Sequence, residues 1–166
     1  MKLFFTIFLI TLLAGCATAP HYETISMPKP FVPSPRHITV AGESFTWPVR
    51  GTIVAPFGAQ VDKVINKGID IGAREGMNVK ASRSGKVVYS DSQLKGFGKT
   101  LIIDHGDDYQ TVYSYNSDIL VNVGDRVNRN DVIARVGRTG RAKESSLHFE
   151  IRKGGEPQNP LYYLSR

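Results

Sequence analysis

Two short segments carry the side chains whose types and spacing bear on chemistry: Asn66-Lys67-Gly68-Ile69-Asp70 and Ser146-Leu147-His148-Phe149-Glu150. An H-x-x-x-D on one segment and an H-x-H on a late strand would supply three zinc ligands and a base, the set with which catalytic zinc activates water. Here Asn66 stands at the first position of one pattern and Ser146 at the first position of the other, so Asp70 and His148 remain. An amide oxygen is a poor neutral donor, and two good donors fall short of the three that catalytic zinc sites use. No metal is therefore expected at the degenerate set Asn66, Asp70 and His148, and no other cofactor. Asp70 and His148 are expected to hydrogen-bond each other and to order the floor of a groove.

The elements that must carry these residues are short and β-rich. Candidate strands are Gly51 to Ala55, Asn78 to Ala81, Lys86 to Ser90, Thr100 to Asp104, Gln110 to Tyr115, Asp131 to Val136 and Leu147 to Arg152. Between them lie turn signals such as Glu75-Gly76, Gly96-Phe97-Gly98, His105-Gly106-Asp107-Asp108 and Val123-Gly124-Asp125, and no helical period lasts three turns. The expectation is an antiparallel all-β domain. Because strand side chains alternate between faces, Ser146, His148 and Glu150 should share one face while Leu147, Phe149 and Ile151 enter the core. By the same alternation Tyr113 and Tyr115 should share a face.

Upstream, Met1-Lys2 precedes an apolar run from Leu3 to Leu13 that ends in Leu13-Ala14-Gly15-Cys16. A basic start, a short apolar stretch and a small-residue exit mark a secretory signal peptide, and the run is too short to span a bilayer. Leu-Ala-Gly-Cys resembles the bacterial lipobox, which implies cleavage after residue 15 and acylation of Cys16, palmitate included. Cys16 is the single cysteine, so an intramolecular disulfide is excluded. Residues 16–43 carry Pro20, Pro28, Pro30, Pro33 and Pro35 and read as a tether, with a reach of up to roughly 80 Å if extended. The organisation expected is a signal peptide at 1–15, a lipidated tether at 16–43 and one domain at 44–166. Loss of Lys2 lowers the formal charge from +6 to +5, a basic balance suited to anionic partners such as the carboxylates of peptidoglycan. No nucleic-acid module is present in the sequence.

Over the domain the chain resembles the M23 family, the LytM-type zinc endopeptidases of peptidoglycan. The resemblance is carried by Trp47-Pro48-Val49-Arg50-Gly51, Gly68-Ile69-Asp70, Gly96-x-Gly98, His105-Gly106, Val123-Gly124-Asp125-x-Val127, Val136-Gly137-x-Thr139-Gly140 and Leu147-His148-Phe149-Glu150. It implies a small two-layer antiparallel β-sheet domain with a central groove. It also implies that Asn66, Asp70 and His148 occupy the ligand positions, and that Tyr115 and Ser146 occupy positions where active members have catalytic histidines. A phenol titrating near 10 and an alcohol higher still cannot act as general bases near neutral pH, so no catalytic residue is expected. His105 is taken as structural.

Degenerate domains of this kind resemble the murein hydrolase activators of the NlpD and EnvC type. That resemblance implies a non-catalytic, outer-membrane-anchored lipoprotein facing the periplasm, which binds and activates N-acetylmuramoyl-L-alanine amidases during wall remodelling and cell separation, and which contacts peptidoglycan. It departs in one respect, since NlpD-type proteins usually carry a LysM domain and only the tether stands between Cys16 and this domain. Lys67, Tyr113, Tyr115, Arg138 and Arg141 flank the former site and are candidates for a partner-binding groove, tyrosine and arginine being frequent hot-spot residues. Two alternatives stand beside this reading, a zinc-dependent peptidoglycan endopeptidase and a non-enzymatic peptidoglycan-binding scaffold. A lipoyl-type carrier fails on the absence of a Met-Lys-Met hairpin.

Overall fold

The computed structural model describes residues 44–61 and 63–165. The signal segment 1–15, Cys16 and the tether 16–43 lie outside the described residues. Among the described residues thirteen strands follow in order: β1 (Thr52–Ala55), β2 (Gln60–Val61), β3 (Val64–Ile65), β4 (Ile69–Gly72), β5 (Asn78–Lys80), β6 (Gly85–Asp91), β7 (Lys99–Gly106), β8 (Tyr109–Asn116), β9 (Asp118–Ile119), β10 (Arg126–Val127), β11 (Val132–Arg135), β12 (Ser146–Lys153) and β13 (Glu156–Gln158). A single 3₁₀ turn, Pro160–Tyr162, follows, and no α-helix occurs among the described residues.

The main sheet runs β1-β4-β12-β8-β7-β6-β10, with β13 paired to β12. A smaller sheet, β5-β11-β9, forms a second layer, and β2-β3 is a separate hairpin. All the strand ladders are antiparallel. Each of the seven strands expected from alternation is present, with shifted ends, while β4, β13 and the two-residue strands carry too little pattern to be legible.

The core joins the inner faces of the two sheets. Leu147, Phe149 and Ile151 of β12 are fully buried there, with Ile69, Ile71, Leu101, Ile103, Ile133 and Val79. Burying each such side chain contributes about 1.5–3 kcal/mol. The two ends of the domain are closed by a bridge between Phe45 and Leu164, where Ser165 N–H donates to the Phe45 carbonyl at 2.9 Å.

β12 lies between β4 and β8, and that placement builds the site. His148 is in register with Asp70 on one side and with Ser114 on the other. The approach of the 66–70 segment requires Gly68, because a Cβ there would sit 2.2 Å from the Phe149 carbonyl oxygen.

Two expectations about local geometry need correction. Tyr113 and Tyr115 do not share a face, because Tyr115 has φ +70°, which breaks the alternation and turns its ring toward His148. His105 is not in the turn but in β7; the turn is Asp107-Asp108, both at positive φ like Gly106 before them. His105 is fully buried, with Nδ1 2.9 Å from the Ser84 carbonyl, Nε2 2.7 Å from Thr111 Oγ1, and its ring edge-on to Phe45.

Candidate functional site: a carboxylate-clasped histidine in an open groove

From Ser146 to Glu150 the polar face of β12 is nearly as buried as its apolar face, and its side chains form a chain of charge that ends at half-buried Arg152. His148 Nδ1 lies 2.6 Å from Asp70 Oδ1, and Nε2 lies 3.0 Å from Glu150 Oε1. Arg152 Nε donates to Glu150 Oε2 at 2.7 Å. Glu150 is fully buried, and His148 and Asp70 are 3% and 8% exposed. The four residues alternate anion and cation, so each buried charge has an opposite neighbour.

Burial works against a charge on His148, yet the hydrogen bonds and negative charges of Asp70 and Glu150 outweigh it and hold its pKa above the usual 6.5. Burial likewise works against a charge on Glu150, but His148 and Arg152 hold its pKa below the usual 4.5. Both imidazole nitrogens face carboxylates and both donate, which is the geometry of an imidazolium.

The donors do not fit a catalytic zinc ion. The contact from Nε2 to Glu150 is of the kind that orients a metal-ligating imidazole. But the remaining nitrogen bonds Asp70 directly, and the third position is spent elsewhere: Asn66 Nδ2 donates to the Ala55 carbonyl at 3.3 Å, and its Oδ1 accepts from Gly68 N–H at 3.1 Å. Among the described residues no cluster of three or more His, Cys, Asp or Glu is arranged to hold a metal. Ser146, buried at the start of β12, donates its hydroxyl to the Glu144 carbonyl at 3.2 Å.

Above this floor the groove is open, with a cavity of about 260 Å³. Phe97 and Tyr115 flank the His148 ring at 5.4 and 5.3 Å between centroids. Arg141 lies 5.5 Å over the Phe97 ring and lines the same cavity as Tyr115. Burial and the charge of Asp70 raise the Tyr115 pKa, with Arg141 opposing, so the phenol stays neutral at physiological pH. Val64 and Ile65 of the β2-β3 hairpin are exposed on the opposite lip, and Lys67, Lys95, Arg141 and Arg152 also line the cavity. A second cavity of about 330 Å³ continues past Asp70 and Tyr115 toward Ser146.

Of the groove residues expected from sequence, Lys67, Tyr115 and Arg141 line this cavity, while Tyr113 and Arg138 do not. Tyr113 is fully buried against Phe149 in the core, its hydroxyl accepting from Ser82 N–H at 2.9 Å, and burial pushes its pKa up to about 12. Arg138 is exposed and lines neither groove cavity. Sequence reasoning missed Arg152, although the period that pairs His148 with Glu150 extends to it. It also missed Phe97, which only its flanking glycines flagged.

Comparison with known proteins agrees with this architecture. Residues 64–160 match the model of peptidase family M23. The chain is 41% identical over 122 residues to the lipoprotein NlpD/LppB homolog of Pseudomonas aeruginosa, covering 74% of this chain and 40% of that protein. It is 40% identical over 121 residues to the murein hydrolase activator NlpD of Escherichia coli K12, covering 73% of this chain and 31% of that protein. The chain thus spans well under half the length of these curated relatives. Among solved structures, a zinc-containing peptidase from Vibrio cholerae superposes with a TM-score of 0.65 at 28% identity, covering 70% of this chain and 39% of that one.

Proposed function

The chain belongs to peptidase family M23, and from that premise we propose that its domain is a non-catalytic activator of N-acetylmuramoyl-L-alanine amidases in peptidoglycan remodelling and cell separation. The observation that carries this reading is the clasp of His148 between Asp70 and Glu150 beneath a groove that remains open. Without a third donor or a free imidazole the floor has no means of activating water. The groove nevertheless keeps an aromatic and arginine wall facing an apolar lip, a combination suited to a protein segment with apolar and acidic side chains. The names of the relatives, NlpD-type lipoproteins and murein hydrolase activators, support the same reading. In it, Cys16 carries the lipid anchor and the domain faces the periplasm from the outer membrane.

The test uses the full chain in neutral detergent, labelled peptidoglycan and an autoinhibited periplasmic amidase, each alone and together, with and without a chelator. Label release only when both proteins are present is the expected result. Release by the chain alone, abolished by chelator and restored by zinc, would make the domain a zinc peptidase and overturn the proposal.

A further inference from the structure

Another cavity, of about 560 Å³, shares no lining residue with the groove. It lies between the segment 47–50 and the smaller sheet, where Lys80 N–H donates to the Pro48 carbonyl at 2.8 Å. Arg50, Arg74, Lys80 and Arg135 line it, and no carboxylate does. Arg50, Arg74 and Lys80 are exposed and make no ion pair among the described residues. Arg135 is held in place by Asn78 Oδ1, which accepts from its Nη1. Of the acids nearest in sequence, Glu75 lies outside the cavity lining and Asp131 accepts from Asn128 N–H at 2.7 Å.

Beside these cations stands Trp47, the single tryptophan of the chain, 36% exposed while its neighbours Phe45 and Val49 are buried. An indole left half in water forfeits apolar burial that the core two residues away would provide. Its flat apolar face next to unpaired cations matches a sugar polymer that bears acidic substituents. A bilayer surface is flat and does not enter a concavity, which favours a polymer strand over a membrane.

We propose that this cavity binds the carboxylate-bearing strand of peptidoglycan, with Trp47 against a sugar ring and Arg50, Arg74 and Lys80 holding stem-peptide carboxylates. This rests on the cell-wall setting proposed above but not on docking in the groove. The domain would hold the wall on one surface while the groove stays free for a protein.

The experiment is co-sedimentation of the full chain, in neutral detergent, with purified peptidoglycan sacculi, with sacculi whose carboxylates have been amidated, and with phosphatidylglycerol vesicles. The native chain is expected to sediment with unmodified sacculi. Amidation of the sacculi, or the combined changes Arg50→Glu, Arg74→Glu and Lys80→Glu, should weaken binding by about tenfold or more. Trp47→Ala should weaken it in low and high salt alike, because stacking is not screened. Should the triple variant melt early, Arg50→Glu alone, at an exposed position, decides by the same comparison. Undiminished binding by variants of unchanged melting temperature would overturn the proposal, as would capture by vesicles and not by sacculi. Binding of the amidase is measured on the same variants. Retained amidase binding with lost sedimentation supports two separate sites, whereas sedimentation without any amidase binding by the native chain overturns the groove reading alone.

Discussion

An imidazole held between two carboxylates makes stability depend on pH in a definite direction. The pKa of His148 is raised in the fold, so its contribution is complete below about 6.5 and is lost as pH rises through the folded value. The pKa of Glu150 is lowered, so its contribution is present above about 4.5 and is lost as pH falls through the folded value. Thermal melts of the native chain minus those of His148→Gln should therefore differ most in the window between these limits and converge at alkaline pH. A flat difference would mean that the imidazole is neutral. Glu150→Gln leaves the His148 and Arg152 cations facing a neutral amide at a fully buried position, with an expected loss of about 3 kcal/mol in denaturant unfolding near pH 6. Tyr115 tests the groove and not the core. Tyr115→Ala should abolish amidase activation while moving the melting temperature little, and a parallel collapse of stability would make the ring structural. Asn66 tests the metal reading: Asp70 and an oriented His148 are in place, so Asn66→His should create one zinc site by calorimetry where the native chain takes up none.

The elements explain why the residues meet. Three eight-residue strands, β7, β8 and β12, form the centre of the main sheet, and β12 presents one face to the core and the other to the groove. The 66–70 segment reaches His148 because Gly68 lets its backbone lie on the Phe149 carbonyl. Gly68→Ala should push that segment away, costing about 2 kcal/mol or more and removing the contact from Asp70 to His148, which the imidazole shift in a proton NMR titration would report. The aromatic wall depends on a similar approach. Gly98 packs against Thr139 and Gly140, which brings Phe97 of one loop under Arg141 of another. Neither loop has a pattern that names its partner.

Across the whole domain the interior is ordered around the main sheet, while one lip of the groove sits on a separate two-stranded hairpin. Hydrogen exchange should be slowest in β7, β8 and β12 and fast in the β2-β3 hairpin, whose Val64 and Ile65 are exposed beside the groove. Fast exchange in β12 would mean that the site floor opens with the lip. The sequence by itself determined the all-β class, seven of the strand positions and the Leu147, Phe149 and Ile151 core face, because side-chain alternation and turn residues act over a few neighbours. Residue type alone also shows that positions 66 and 146 hold an amide and an alcohol and not imidazoles, which settles what atoms they can offer a metal. The tertiary structure decided the rest: the turning of Tyr115 by its positive φ, the burial of Tyr113, the clasp of His148 by Asp70 and Glu150, and the gathering of Trp47 with Arg50, Arg74 and Lys80 around one cavity. Those features arise from pairing between segments far apart in the chain, where strand register and close backbone approach, not local propensity, choose the neighbours.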